Sequence, residues 1–196
     1  GAQVVVVSGR PLGLSSVVGH GRGHAGQGAG VCTTGCSAQQ TQEIQEAAEE
    51  LPLFYSRNMS LGVNLLIELA KKAEAVLGDS FDVEIVEMHH NQKIDAPSGT
   101  ALMIADAINQ VREDSMQYVY DRHSQRKKRE KKEIGLHSVR GGTIVGEHQV
   151  IFAGQSEVLT LSHSAQSKEL FAAGAVNAAV FMAGKGPGLY DMSHLI

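Results

Sequence analysis

EMHHNQKIDAPSGTA, residues 87–101, is the stretch on which the reading of this chain turns. It overlaps the end of an alternating run, 82–88, which predicts a β-strand. It leads into an apolar-periodic segment, 98–111, which predicts a helix with Leu102, Ala105 and Ile108 turned inward. Pro97 disfavours helix in the residue before it and suits a helix start, and either Ser98 or Thr100 can cap the first turn. The predicted local order is strand, loop, helix N-terminus. Such a loop gathers His89, His90, Lys93, a hydroxyl or two, and the unpaired N–H groups of a first helical turn. Those N–H groups and the helix dipole make an anion site, and Gly99 lets an oxyanion come close to the backbone. Histidine titrates near neutrality, so one of the pair can give a proton to a reacting carbon or nitrogen. A polar loop and an ordinary cap remain the plainer account of each residue taken singly. Their combination after a strand favours a small-carboxylate pocket with acid catalysis attached.

The rest of the chain is consistent with a globular protein. Its 196 residues suit one large domain or two small ones, and 42% hydrophobic against 19% charged residues supply a core. A net charge of −4 argues against a general nucleic-acid binder. The sequence has no apolar run of membrane-spanning length and no charged-then-apolar leader, so the expectation is a cytoplasmic protein without a membrane partner. Cys32 and Cys36 have the spacing of neither a redox pair nor half a zinc site, and no metal is expected.

Further elements follow from periodicity. Residues 4–7 predict a short buried strand, 39–51 an amphipathic helix carrying Ile44, Ala47, Ala48 and Leu51, and 53–56 another strand. The segment 61–77 predicts a helix through Leu65, Leu66, Leu69, Ala73 and Val76. Segments 134–140, 143–153 and 157–163, with glycine turns between them, read as an antiparallel meander. A last helix is predicted over 168–185, with Leu170, Phe171, Val176 and Val180 on its apolar side. The charge run DRHSQRKKREKKEIG, 121–135, mixes signs and has no interleaved aromatics, so a solvated loop is the better reading. Gly21, Gly23 and Gly26 match GxGxxG in spacing. Ten of the 22 glycines fall in the first 35 residues, and neither the preceding strand nor the following helix that the motif needs is there. A chance match is the better account.

The motif at 87–101 closely resembles the signature of the dihydrodipicolinate reductases, also called 4-hydroxy-tetrahydrodipicolinate reductases. FYSRNMSLGVNLL at 54–66, HSVRGGTIVGEH at 137–148 and GKGPGLYDM at 184–192 resemble that family too, so the likeness runs from about residue 31 to the C-terminus. The resemblance implies an α/β fold: a partial Rossmann-type nucleotide domain, 1–59 with 167–196, and an α+β domain, 60–166, whose mostly antiparallel open sheet binds substrate and builds a homotetramer. It implies NADPH- or NADH-dependent reduction of a cyclic dicarboxylate, 4-hydroxy-tetrahydrodipicolinate, to tetrahydrodipicolinate in lysine and diaminopimelate biosynthesis. In that pattern His89 matches the proton donor and Lys93 a second catalytic donor. His90, Ser98, Gly99 and Thr100 match the carboxylate-binding set. Cys32, Thr33 and Thr34 match one cofactor-contacting turn, with Cys32 where glycine is usual, and Ser56, Arg57, Asn58 and Met59 match the second. The basic loop at 121–135 matches a variable loop near the substrate pocket.

One part of the pattern has no counterpart. The family opens with a glycine-rich strand-to-helix turn that holds the cofactor pyrophosphate, followed by two further strands. The expectation is therefore a shortened chain, or one with a local frameshift before residue 30, and a weakened hold on coenzyme. A catalytically impaired homologue that keeps the substrate and tetramer domain is the alternative reading. A nucleic-acid module on residues 126–132 is a third. Either coenzyme is admitted, because the residue that reads the ribose 2′ position belongs to the part without a counterpart.

Overall fold

The computed structural model describes residues 4–8, 28–32, 36–113 and 115–196; for 4–8, 28, 31 and 32 it describes the backbone alone. The chain forms two compact units, Gly1–Asn64 with Glu169–Ile196, and Leu65–Lys168.

The first unit is built on a parallel four-stranded sheet in the order β1-β2-β3-β9. Its strands are β1 (Val4–Ser8), β2 (Gly28–Cys32), β3 (Pro52–Tyr55) and β9 (Gly188–Tyr190). Successive residues of β3 face opposite sides. Leu53 packs with Ala29, Leu51 and the Ile44, Ala47 and Ala48 face of α1 (Ala38–Ala48). Phe54 packs on the other side with Met59, Met192 and Ala178 and Met182 of α4 (Glu169–Met182). A parallel sheet buried on both faces is the expected outcome when helices cover it from each side. Ser37 starts α1 through a capping box: its Oγ accepts from Gln40 N–H at 3.2 Å, and its own N–H donates to Gln40 Oε1 at 2.8 Å. In α4 the predicted face is not the packed one. Gly174, Ala178 and Met182 are buried, whereas Val176 and Val180 are 62% and 71% exposed. The cause is steric: Gly174 lies so close to the Met59 carbonyl that a Cβ there would stand 1.8 Å from it. Gly174 and Ala178, with Met182, rather than Val176 and Val180, form the packed face of this helix.

The second unit holds a five-stranded sheet in the order β5-β6-β4-β7-β8. Its strands are β4 (Asp82–His89), β5 (Gln117–Val119), β6 (Glu133–Arg140), β7 (Gly146–Ala153) and β8 (Val158–Ala165). The two antiparallel pairings, β4–β7 and β7–β8, are long, while one of the two parallel pairings, β5–β6, spans three residues, so the sheet is mostly antiparallel. The expected meander is corrected in one respect. β6 does not lie beside β7; β4 sits between them, parallel to β6 and antiparallel to β7. Helix α3 (Gly99–Val111) buries Ala101, Ile104, Ala105 and Ile108, with Leu102 half-buried rather than core. Val83, Ile85, Ile134, Val150 and Phe152 complete this core, and each such side chain contributes about 1.5–3 kcal/mol by leaving water.

Helix α2 (Leu61–Leu77) matches its predicted span, but its inward face is Val63, Leu66, Ile67 and Ala70. Leu65, Leu69 and Val76, read as part of the apolar face, are exposed. The loop 121–132 is not simply solvated. Arg122 bridges Glu84 and Glu133 at 2.8 Å each, and Arg129 reaches Glu84 at 3.0 Å and Asp82 at 3.1 Å. Gly135 makes the room, since a Cβ there would stand 1.7 Å from Glu84 Oε2. Arg122 and Arg129 are thus neutralised on one face of the sheet.

Candidate active site

Strand β4 sends Val83, Ile85, Glu87 and His89 to one face by its period of two. The first two are core, and the second two begin a polar site. Glu87 is 0% exposed and fully engaged. Arg140 grips it with both terminal nitrogens, Nη1 to Oε2 at 2.8 Å and Nη2 to Oε1 at 2.7 Å. The Ser98 N–H donates to Oε1 at 3.1 Å, and His89 Nδ1 lies 2.5 Å from Oε2. Burial alone would raise the Glu87 carboxyl. Hydrogen bonds from Arg140, Ser138 and His89 outweigh it and hold the group at about 2. Glu87 is therefore ionised and can only accept, so the His89 nitrogen facing it, Nδ1, carries the proton.

His89 is buried, and burial pulls its pKa below the ordinary 6.5; Glu87 pushes it up, while Lys93 and Arg140 pull it down. At neutral pH the ring is mainly neutral, with its lone pair on Nε2. Gly146 keeps that nitrogen uncovered, since a Cβ there would stand 3.1 Å from it. His148, on β7 and 4% exposed, meets the His89 ring edge-on at 5.3 Å and lies 3.1 Å through Nε2 from Ser98 Oγ. Burial, then the neighbouring His89, lowers His148 to about 4, so it stays neutral.

Ser98, rather than Thr100, is the N-cap of α3: its Oγ accepts the Ala101 N–H at 3.1 Å. Gly99 opens the helix, and helix geometry leaves its N–H without an intrahelical acceptor. The space beside it is open, with nothing within 4 Å of a notional Cβ. Lys93 rests on Asp95 at 2.8 Å, and this hydrogen bond is the main cause of the lowered Asp95 carboxyl. The half-buried His90 accepts the Lys93 N–H on its carbonyl at 3.2 Å. One strand end, loop and helix start thus bring His89 and Ser98 together on Glu87 with Lys93 close enough to act on His89, while His90 lies in the loop and Gly99 and Thr100 in the first turn of α3. The arrangement offers a proton-exchanging nitrogen, an ammonium and a helix N-terminus, which suit an anionic molecule that takes up a proton.

The predicted cofactor residues fare differently. Cys32 ends β2 in its backbone, while Thr33 and Thr34 lie outside the described residues. Ser56 donates to the Asn58 carbonyl at 2.8 Å, Asn58 Oδ1 accepts the Ser60 N–H at 2.8 Å, and Ser60 caps α2 by accepting the Val63 N–H at 3.1 Å. Met59 is in the core, and Arg57 is exposed. Ser56, Asn58 and Met59 therefore build the turn, and Arg57 is its outward side chain. The turn sits at the carboxyl end of a parallel strand, the edge at which open α/β sheets receive nucleotides. Among the described residues, no group of three or more His, Cys, Asp or Glu is arranged to hold a metal, and no helix is long and apolar enough to cross a membrane.

The family model described as "Dihydrodipicolinate reductase, C-terminus" matches residues 62–196. The chain belongs to the dihydrodipicolinate reductase family. A relative from Caldanaerobacter subterraneus subsp. tengcongensis, named 4-hydroxy-tetrahydrodipicolinate reductase, is 58% identical over 166 residues, 85% of this chain and 66% of its own length. A reductase of the same name from Clostridium novyi is 46% identical across 100% of this chain and 77% of its own. The chain thus spans about two thirds to three quarters of the length of these curated relatives. Among solved structures, a dipicolinate-bound dihydrodipicolinate reductase from Paenisporosarcina sp. TG-14 superposes with a TM-score of 0.78 at 27% identity, covering 99% of this chain and 74% of that one.

Sequence reasoning missed Glu87, Arg140 and His148. Glu87 and His148 each occupy an inward position of an alternating strand, where an ionisable residue demands a partner, and that signal was available. The charged partner of Glu87 from another strand, Arg140, is 53 residues away, beyond any local pattern.

Proposed function

We propose that this chain reduces 4-hydroxy-tetrahydrodipicolinate to tetrahydrodipicolinate, using NADH or NADPH. The observation that carries the reading is the grouping of His89, Lys93 and the N-terminus of α3 on one strand-loop-helix turn. The name of the dipicolinate-bound relative supports a planar pyridine dicarboxylate as a ligand of the same chemical class.

The coenzyme, when bound, supplies hydride. The chain's own residues do the rest. Ser98, the Gly99 and Thr100 backbone and His90 receive the two carboxylates, and Lys93 leaves Asp95 to pair with the dianion. A dianion beside His89 raises its pKa, so the ring takes up a proton at Nε2 as substrate arrives. The 4-hydroxyl leaves as water, and His89 gives that proton to the unsaturated ring as hydride adds, while Lys93 offsets the negative charge that builds there. The turn formed by Ser56, Arg57, Asn58 and Met59, with Cys32, Thr33 and Thr34, holds coenzyme. A homotetramer is part of the same proposal, supported by the exposed Val158 and Leu159 on the edge strand β8.

Calorimetric titration with NADPH and NADH, with and without pyridine-2,6-dicarboxylate, followed by a reductase assay, tests the reading. Micromolar coenzyme binding and turnover are expected, with turnover cut about 10²–10⁴-fold in His89→Gln and Lys93→Ala. Near-normal turnover in both variants overturns the residue assignment. Dicarboxylate binding without coenzyme binding would favour the impaired homologue instead.

A further inference from the structure

We infer that Glu87, oriented by Arg140, is the positioning residue that fixes His89 as its Nδ1–H tautomer and so commits Nε2 to proton exchange with the substrate. This inference rests on the proposed role of His89 as proton donor.

The geometry leaves Glu87 little else to do. It is buried, lies on the substrate face, and is not itself open to a ligand. Both of its oxygens are taken: Oε2 by Arg140 and His89, and Oε1 by Arg140 and the Ser98 N–H. Arg140 is committed through both terminal nitrogens. Nη1 donates to Glu87 and to the Val139 carbonyl at 2.7 Å, and Nη2 donates to Glu87 and to the Asp95 carbonyl at 2.7 Å. All four terminal hydrogens are spent within the chain, and Nε, the one donor left, is buried without a hydrogen-bond partner; Arg140 acts on the site through Glu87 and the 95 loop. The pair forms a fixed strut. One arm holds the imidazole, another holds the start of α3 through Ser98, and a third holds the loop between them. The proton donor and the anion-binding helix N-terminus are thereby referred to a single carboxylate.

The chemistry follows from the strut. A neutral imidazole has one N–H, and an ionised carboxylate at 2.5 Å claims it for Nδ1. Nε2 then accepts the incoming proton, and the imidazolium that forms is stabilised by the same carboxylate. When the proton leaves Nε2 for the substrate ring, the histidine returns to its starting tautomer, still bonded to Glu87. No ring flip is needed between turnovers.

Nitrogen-15 NMR of the histidine-labelled full chain reads the tautomer directly, with His89→Gln assigning the signal. At neutral pH the expected result is a protonated Nδ1 and an unprotonated Nε2. The reverse tautomer overturns the inference whether or not the chain turns over, so this readout survives failure of the reductase reading. Glu87→Gln supplies the second arm. Its amide keeps the volume and the acceptor for Ser98 but no longer demands the Nδ1 proton. The expected result is loss of the single tautomer, a drop of about 10²-fold or more in turnover, and an altered acid limb of the pH–rate profile, with affinity for pyridine-2,6-dicarboxylate within tenfold of the parent chain. Glu87→Gln with the parent tautomer and a parent-like pH profile would overturn it.

Discussion

Acidification is expected to destabilise the Leu65–Lys168 unit by a computable amount through His148 alone. Folding holds this imidazole at about 4, against 6.5 for the ordinary group. Between those values the unfolded chain binds a proton that the folded chain refuses, so stability falls as pH falls. The full penalty, reached near pH 4, is about 3 kcal/mol, a large part of a typical 5–15 kcal/mol domain stability. The groups facing His148 set this value: His89, His163 and Lys93 disfavour its charge, Glu87 favours it, and burial dominates all four. His89 and His163 are themselves lowered and add to the same slope. Glu87, held at about 2, contributes its own loss only below about 4.5. Urea unfolding from pH 7 to pH 4, followed by hydrogen exchange of the β4 and β7 amides, measures the slope. His148→Gln cannot take the proton but keeps an amide group that can hydrogen-bond Ser98 Oγ. It should be less stable than the parent at pH 7, yet lose about 3 kcal/mol less on the way to pH 4. Parallel pH dependences in the two chains would refute the reasoning.

Substitutions at three sites test other parts of the structure. Glu74 is 1% exposed and held by Arg112 Nε, with its Oε2 otherwise unpartnered, so Arg112→Met should cost about 3–5 kcal/mol by stranding a buried carboxylate. Thermal unfolding checks this, and Glu74→Leu with Arg112→Met should recover most of the loss. Gly174→Ala should cost at least about 1–3 kcal/mol, because the new methyl meets the Met59 carbonyl rather than a yielding side chain; an unchanged melting temperature would count against the packing of α4 described above. Gly146→Ala places a methyl 3.1 Å from His89 Nε2 and should lower turnover roughly ten- to hundredfold with little change in melting temperature. Normal turnover would mean that Nε2 is not the reacting nitrogen.

Much of this architecture was readable without coordinates, and the misreadings have physical causes. The strand-loop-helix order at 82–111 and the span of α2 follow from periodicity, because 2.0 and 3.6 residue repeats are set locally. Which face of a helix is buried is decided by what approaches it. In α2 the apolar residues go right round the helix, and Val63, Ile67 and Ala70 are covered where Leu65 and Leu69 are not. In α4 a tight approach at Gly174 selects the face of Gly174, Ala178 and Met182 over that of Val176 and Val180. Strand order failed for a similar reason. Segments 134–140 and 143–153 are sequence neighbours joined by glycines, yet β4 is placed between them, and no hairpin signal distinguishes a turn from a crossover there.

The candidate site shows the same division at the scale of single residues. The motif 87–101 names the groups that face a ligand, since they share one short loop. The groups that hold them come from β6 and β7, and only register brings them in: Glu87 sits opposite Ser138 on one side and His148 on the other. Register also separates two carboxylates on the same strand. Glu84 points to the opposite face from Glu87 and is paired with Arg122, Arg129 and His137, in space that Gly135 leaves free. The loop 121–132 therefore docks on the far side of the sheet from His89, with Arg122 and Arg129 committed to structure rather than to the site on the Glu87 face. A one-residue slip of β4 would turn Val83 and Ile85 out of the core and offer Glu84 and Glu87 each to the other's face. Each charged network would then lose its counter-ions and the apolar contacts at once. The same alternation that builds the core thus also fixes which carboxylate meets the histidine, and the register of β4 is as much a determinant of the proposed chemistry as the motif itself.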